Sequence, residues 1–214
     1  MTWASWIRTV EIAPGLDAAG GTVICGQIEA LLRTGCRIVH VDVGDGLAAS
    51  VSQLSTLVPL VHRYEGVVDM HLTDGDPLQL FGAAAAVGAD SLTFAADAVS
   101  DVPAAIAAAR ETGLQVGVAV GAGDLESVAQ EAQTADLVLC DGAAEGLPAS
   151  VRRLRLALPS SVSLEIEDPP LHDGGEATLR DLYDGGARVF VVREPIFERE
   201  DLPRAYRRLV HEFA

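Results

Sequence analysis

The feature that most constrains this chain is an alternation, repeated eight times, of a short apolar run with a longer stretch rich in alanine and leucine. The apolar runs cover 9–14, 38–43, 67–71, 91–94, 115–120, 137–140, 162–167 and 188–192. Helical stretches follow them near 22–33, 50–62, 77–87, 102–112, 125–133, 149–157, 176–184 and 202–213. Gly35, Gly88, Gly113 and Gly185-Gly186 stand where helices end, the place that a left-handed turn favours glycine. Runs this short, separated by helices, read as parallel strands joined by crossovers. Eight such units in 214 residues fit an α/β fold, a single-domain (β/α)8 TIM barrel. A doubly wound open sheet is the alternative, but no Gly-x-Gly-x-x-Gly fingerprint follows the first run. No linker or low-complexity tract divides residues 1–214.

Composition narrows the function. Only 5% of the residues are aromatic against 49% hydrophobic, so aliphatic packing must build the core. A net charge of −16 argues against nucleic acid and anionic lipid as partners, because both need basic patches. No apolar run approaches the roughly 18 residues of a membrane span. The N-terminus lacks the basic-then-apolar order of a signal peptide, so a cytoplasmic protein is expected. Cys25, Cys36 and Cys140 are too far apart for a Cys-x-x-Cys metal site, and Cys25 and Cys36 read as small apolar residues in or beside a helix. All 15 basic residues are arginine. Without a lysine amine, Schiff-base chemistry, pyridoxal-phosphate anchoring and lysine-dependent decarboxylation are excluded.

The chemistry concentrates at the ends of the apolar runs. Residues two apart in a strand share a face, so His40 pairs with Asp42, Asp69 with His71, and Glu165 with Glu167. In a barrel, the C-terminal strand ends carry the active site. Charges pointing inward there are costly unless paired or bound to metal. Two histidines and a carboxylate on neighbouring strands can hold a divalent metal. Asp69 reads as a partner that orients a histidine. Asp45 and Gly46 read as shaping the turn after the second run. His62, His172 and His211 carry no partner pattern and are expected at the surface. Trp3 and Trp6 are expected to cover either the barrel bottom or an oligomer contact.

In order and spacing, the chain resembles the ribulose-phosphate 3-epimerase family. Ile12-Ala13-Pro14-Gly15-Leu16 is similar to that family's IAPSIL, His40-Val41-Asp42-Val43-Gly44-Asp45-Gly46 to its HxDxMDG, and Asp69-Met70-His71-Leu72 to its DVHLM. Gly88-Ala89-Asp90, Gly186-Ala187-Arg188-Val189-Phe190-Val191 and Ile196-Phe197 resemble its GAD, GADVFV and AIF. The resemblance implies a divalent metal (Zn, Fe, Mn or Co) held by two histidines and two carboxylates. His40, Asp42 and His71 match three of these positions. The fourth is an aspartate in VDGG, where this chain reads Glu165-Ile166-Glu167-Asp168-Pro169. Side-chain direction favours Glu167 over Asp168 as that ligand. The resemblance further implies that Asp42 and Glu167 act as catalytic proton exchangers on opposite faces of a ketose phosphate or related sugar, with the metal stabilising the enediolate.

The departures cluster around the substrate. Gly15 stands for the family's serine, Asp141 for a methionine, Asp168-Pro169 for a Gly-Gly, and Arg193-Glu194 for a Gly-Ser. Glycine loops cradle phosphate through backbone N–H groups, and proline removes such a donor. Gly15, Asp141 and Arg193 are therefore expected to face a small-molecule substrate. Three functions follow: a metal-dependent epimerase or isomerase of a ketose phosphate; the same proton transfer on a non-phosphorylated sugar or specialised metabolite; or a non-catalytic binding barrel. A homo-oligomer is expected.

Overall fold

The computed structural model describes residues 3–7, 9–18, 25–44, 47–121, 125–143, 146–169, 171 and 175–213. Asp45 and Gly46, His172 and the first residues of the helix expected from Thr22 lie outside them. Eight parallel strands close into a barrel in sequence order: β1 Glu11–Asp17, β2 Ile38–Val43, β3 Val67–Leu72, β4 Ser91–Ala95, β5 Gln115–Val120, β6 Leu137–Asp141, β7 Ser163–Glu167 and β8 Val189–Val192. β1 also pairs with β8, which excludes the open-sheet alternative.

β1 is displaced from the predicted run. It passes Pro14 and ends at Asp17. Its first half pairs with β8 and its last three residues pair with β2, Gly15 opposite His40 and Asp17 opposite Asp42. Neighbours on both sides thus carry the strand past a proline that reads locally as a stop. Two short helices were not foreseen, Trp3–Trp6 before β1 and Glu194–Phe197 after β8. The helix expected from Ser50 begins at Leu47.

Aspartates fix the helix starts and strand registers. Asp76, Asp101 and Asp201 each accept a backbone N–H of the first helical turn, and each helix carries a proline where that N–H is not needed. Asp90, just before β4, accepts from Val68 N at 2.8 Å and meets His62 Nε2 at 2.8 Å. Asp136, just before β6, accepts from Val116 N and from Arg110. His62 therefore does have a partner, although its side chain reaches solvent.

Two apolar regions result. The larger lies between the sheet and the helices, with Phe94, Ile28, Leu57 and Phe190 fully enclosed. The smaller fills the bottom of the barrel with Ile38, Val67, Leu137 and Val189 and is capped by Trp3 and Trp6. Trp3 is 0% exposed, stacks edge-on with Trp6 and donates Nε1 to Ser91 Oγ at 3.0 Å. The tryptophans thus plug the barrel, leaving the oligomer-contact alternative without an exposed ring. Among the described residues, no helix is long and apolar enough to cross a membrane.

Candidate active site and metal centre

The β2–β3 register places His40 beside Asp69 and Asp42 beside His71. β7 brings Glu165 and Glu167 to the same residues although β8 and β1 stand between it and β2. Contact between β2 and β7 therefore has to cross the barrel interior, where inward side chains of non-adjacent strands meet.

The upper tier holds His40, Asp42, His71 and Glu167. His40 Nε2 and His71 Nδ1 each lie 3.2 Å from Asp42 Oδ1. His71 Nδ1 lies 3.6 Å from Glu167 Oε2, and His40 Nε2 lies 4.0 Å from Glu167 Oε1. Ligand bonds of about 2.0–2.2 Å in a tetrahedral shell separate the donors by roughly 3.3–3.6 Å. The four groups fit one small cation. Two imidazoles and two carboxylates suit Zn, Fe, Mn or Co better than calcium or magnesium, which prefer oxygen alone.

The lower tier stands directly behind His40. Its Nδ1 meets Asp69 Oδ2 at 2.8 Å and lies 3.5 Å from Glu165 Oε1. The second distance is an electrostatic contact, not a hydrogen bond. His40, Asp69 and Glu165 are all 0% exposed. Neither Glu165 oxygen finds a hydrogen-bond donor among the described residues, and Asp69 Oδ1 has none either. Burial, aided by the charge of Asp69, pushes the Glu165 carboxyl up to about 7 against the pull of His40. Burial disfavours charge on His40, yet its hydrogen bonds with Asp42 and Asp69 and the nearby Glu165 carboxylate outweigh it and raise its pKa well above the usual value. An imidazole that meets a carboxylate through one nitrogen and a ligand cluster through the other is the arrangement that orients metal-binding histidines.

Arg193 follows β8 and closes the upper tier from the solvent side. Its Nη2 bridges Asp42 Oδ2 and Glu167 Oε1, the latter at 2.6 Å, while its Nη1 pairs with Asp168. Asp42 thus turns one oxygen to the histidines and the other to the guanidinium, and Glu167 turns Oε2 to His71 and Oε1 to the guanidinium. Burial opposes ionisation of Asp42, but His40, His71 and Arg193 together hold it well below the ordinary carboxylate range. Gly15 makes this possible. A Cβ there would stand 2.7 Å from Val191 Cγ1 and 3.0 and 3.1 Å from Arg193 Cγ and Nε. Two departures that look separate in the sequence, glycine at 15 and arginine at 193, are one packing event.

Glu167 turns inward, whereas Asp168 takes a left-handed φ of 43° and points to the mouth, its side chain 55% exposed. Gly142 N donates to Glu167 O at 2.6 Å, an approach that a Cβ at 142 would block. Asp141 stays outside the cluster and accepts from Ala143 N at 2.8 Å, holding the turn after β6. Beside Arg193 lies a cavity of about 720 Å³ bordered by Asp168, Pro169, Glu194, Glu198 and Arg199.

The profile of the Ribulose-phosphate 3 epimerase family matches residues 11–144, the stretch that carries His40, Asp42 and His71. A ribulose-phosphate 3-epimerase of Rhodobacter capsulatus is 30% identical over 209 residues, covering 89% of this chain and 87% of that protein. The chain belongs to the ribulose-phosphate 3-epimerase family. Membership supports a sugar-phosphate epimerase as the general activity. Solved structures agree on the fold. An orotidine 5'-phosphate decarboxylase of Pyrococcus horikoshii OT3 has a TM-score of 0.72 at 13% identity, covering 93% of this chain and 98% of its own. A 3-hexulose-6-phosphate synthase has 0.66 at 20% identity, covering 97% and 100%. At such identities the likeness concerns the barrel alone.

Residue-by-residue reading from the sequence assigns no role to Glu165, whose only signal is its two-residue spacing from Glu167. It also misses Thr93 on β4, 0% exposed, its Oγ1 without a hydrogen-bond partner among the described residues. A threonine in a short apolar strand carries no mark that it faces a polar tier.

Proposed function

We propose that this chain is a metal-dependent epimerase of a ketose phosphate or related sugar, moving a proton beside the carbonyl. The observation that carries the proposal is the convergence of Asp42 and Glu167 on a single Arg193 nitrogen. That nitrogen stands between two carboxylates, where a substrate carbon must lie to be touched by both. One carboxylate takes the proton from one face, and the other returns a proton to the opposite face, which inverts the centre. His40, Asp42, His71 and Glu167 would hold the divalent ion. When bound, it supplies Lewis-acid stabilisation of the negative charge building on the substrate oxygen. Asp69 fixes the His40 ring so that Nε2 faces the cluster. Arg193 joins the two carboxylates and helps to hold Asp42 ionised, and leaves their bridge toward Asp168 as substrate enters. The strands beneath exclude water from His40.

The test is wash-in of solvent deuterium into ketoses and ketose phosphates by metal-loaded protein. Exchange that is abolished by a chelator and restored by Zn, Mn, Fe or Co is the expected result. Protein that binds metal but exchanges no candidate would favour the non-catalytic binding barrel instead.

A further inference from the structure

Resting on the epimerase reading, we infer that the substrate of this barrel is a non-phosphorylated ketose, its hydroxyl-bearing tail received by the carboxylates beyond Arg193. In barrels of this kind a phosphate is commonly held by the loops after the seventh and eighth strands together with a short helix N-terminus. The cavity beside Arg193 occupies that place, and its chemistry is reversed.

Phosphate binding needs open N–H donors and unpaired cations. Several of the described backbone donors in and behind the wall of this cavity are already engaged. Gly142 N donates to Glu167 O, Asp168 N to Val191 O, Ile196 N and Phe197 N to Arg193 O, and Glu198 N to Glu194 O. Ala143 N donates to Asp141 Oδ1. Pro169 and Pro195 have no N–H to offer. The short helix after β8 begins with Glu194, a carboxylate where an anion would have to dock.

The cations fare no better. Arg193 is shared among Asp42, Glu167 and Asp168. Arg199 is the other arginine on the cavity wall, and it faces a lining that includes Asp168, Glu194 and Glu198. Among the described lining residues, a dianion placed there meets more negative than positive charge. Hydroxyl groups meet the opposite situation, since ionised carboxylates are acceptors only and bind O–H donors strongly. Gly15 belongs to the same design, because it leaves the space that Arg193 takes up.

The deciding experiment compares matched pairs, ribulose with ribulose 5-phosphate and fructose with fructose 6-phosphate, for deuterium wash-in by the metal-loaded full chain. Binding of inorganic phosphate is measured beside it by calorimetry on metal-free and metal-loaded protein. The inference expects kcat/KM to favour the unphosphorylated member by about tenfold or more, roughly 1.4 kcal/mol of discrimination. It also expects no phosphate binding at millimolar concentration. Replacing both acids, Glu194→Gln with Glu198→Gln, should strengthen phosphate binding about tenfold while the metal content stays unchanged. Faster wash-in to the phosphate esters, tight phosphate binding by the unaltered chain, or no gain in the double variant would each overturn the inference and leave the epimerase reading standing. Wash-in to neither member of either pair would refute the epimerase reading, and this inference with it.

Discussion

The two halves of the barrel mouth differ in what holds their charges. On the β2–β3 side, His40, Asp42, His71 and Asp69 sit on paired strands whose register sets His40 beside Asp69 and Asp42 beside His71. On the β6–β8 side, Asp141, Asp168, Arg193 and Glu194 sit at strand ends or just beyond them, positioned by side-chain pairing and single backbone contacts. A ladder that buries one face cannot slip by a residue without turning its side chains over. A residue past the end of a strand has no such restraint. The β2–β3 half thus keeps the family pattern, and the β6–β8 half is where this chain departs from it most.

The sharpest way to break the comparison is Asp42→Asn. It removes a proposed proton exchanger and a ligand at once, and deuterium wash-in should fall by about 10³-fold or more while circular dichroism remains that of the parent. Retained wash-in would move the chemistry to the β6–β8 half. Next in size is Trp3→Ala, at the opposite end of the barrel. Emptying that enclosed site should cost about 3 kcal/mol in denaturant unfolding, with metal stoichiometry unchanged if the plug and the site are independent.

A smaller effect is expected where the halves meet. Arg193→Gln removes one of the groups that, after His40 and His71, lower Asp42, so the acid limb of the pH–rate profile should move up, by about one pH unit or less. KM should fall, because substrate no longer displaces an ion pair. Gly15→Ser, which crowds the Arg193 side chain, should move the same limb in the same direction.

The smallest effect concerns the buried lower tier in metal-free protein. Folded Glu165 holds its proton up to about pH 7, whereas the unfolded chain releases it near 4.3, the usual approximate value. The folded state binds more protons in that window, so stability declines as pH rises through it. Glu165→Gln should flatten this decline by about 1–3 kcal/mol between pH 5 and 8. The raised pKa of His40 adds a slope of the same sign at higher pH, through the folded His40 titration, and that slope should persist in both proteins.

The sequence by itself determined the order of eight units, the barrel and the inward faces of β2, β3 and β7. These follow from spacing: a period of two along a strand and an alternation of short and long segments survive in one dimension. It also marked His40, Asp42, His71 and Glu167, because charges are rare in apolar runs. Only the tertiary structure decided that Trp3 plugs the barrel floor, that Glu165 stands behind His40 with no hydrogen-bond donor among the described residues, and that Arg193 spans two carboxylates in the space beside Gly15. Asp42 and Arg193 are 151 positions apart, and closure of β8 onto β1 is what brings them together. Spacing along the chain encodes which face a residue occupies, but closure of the sheet chooses its partners from distant strands.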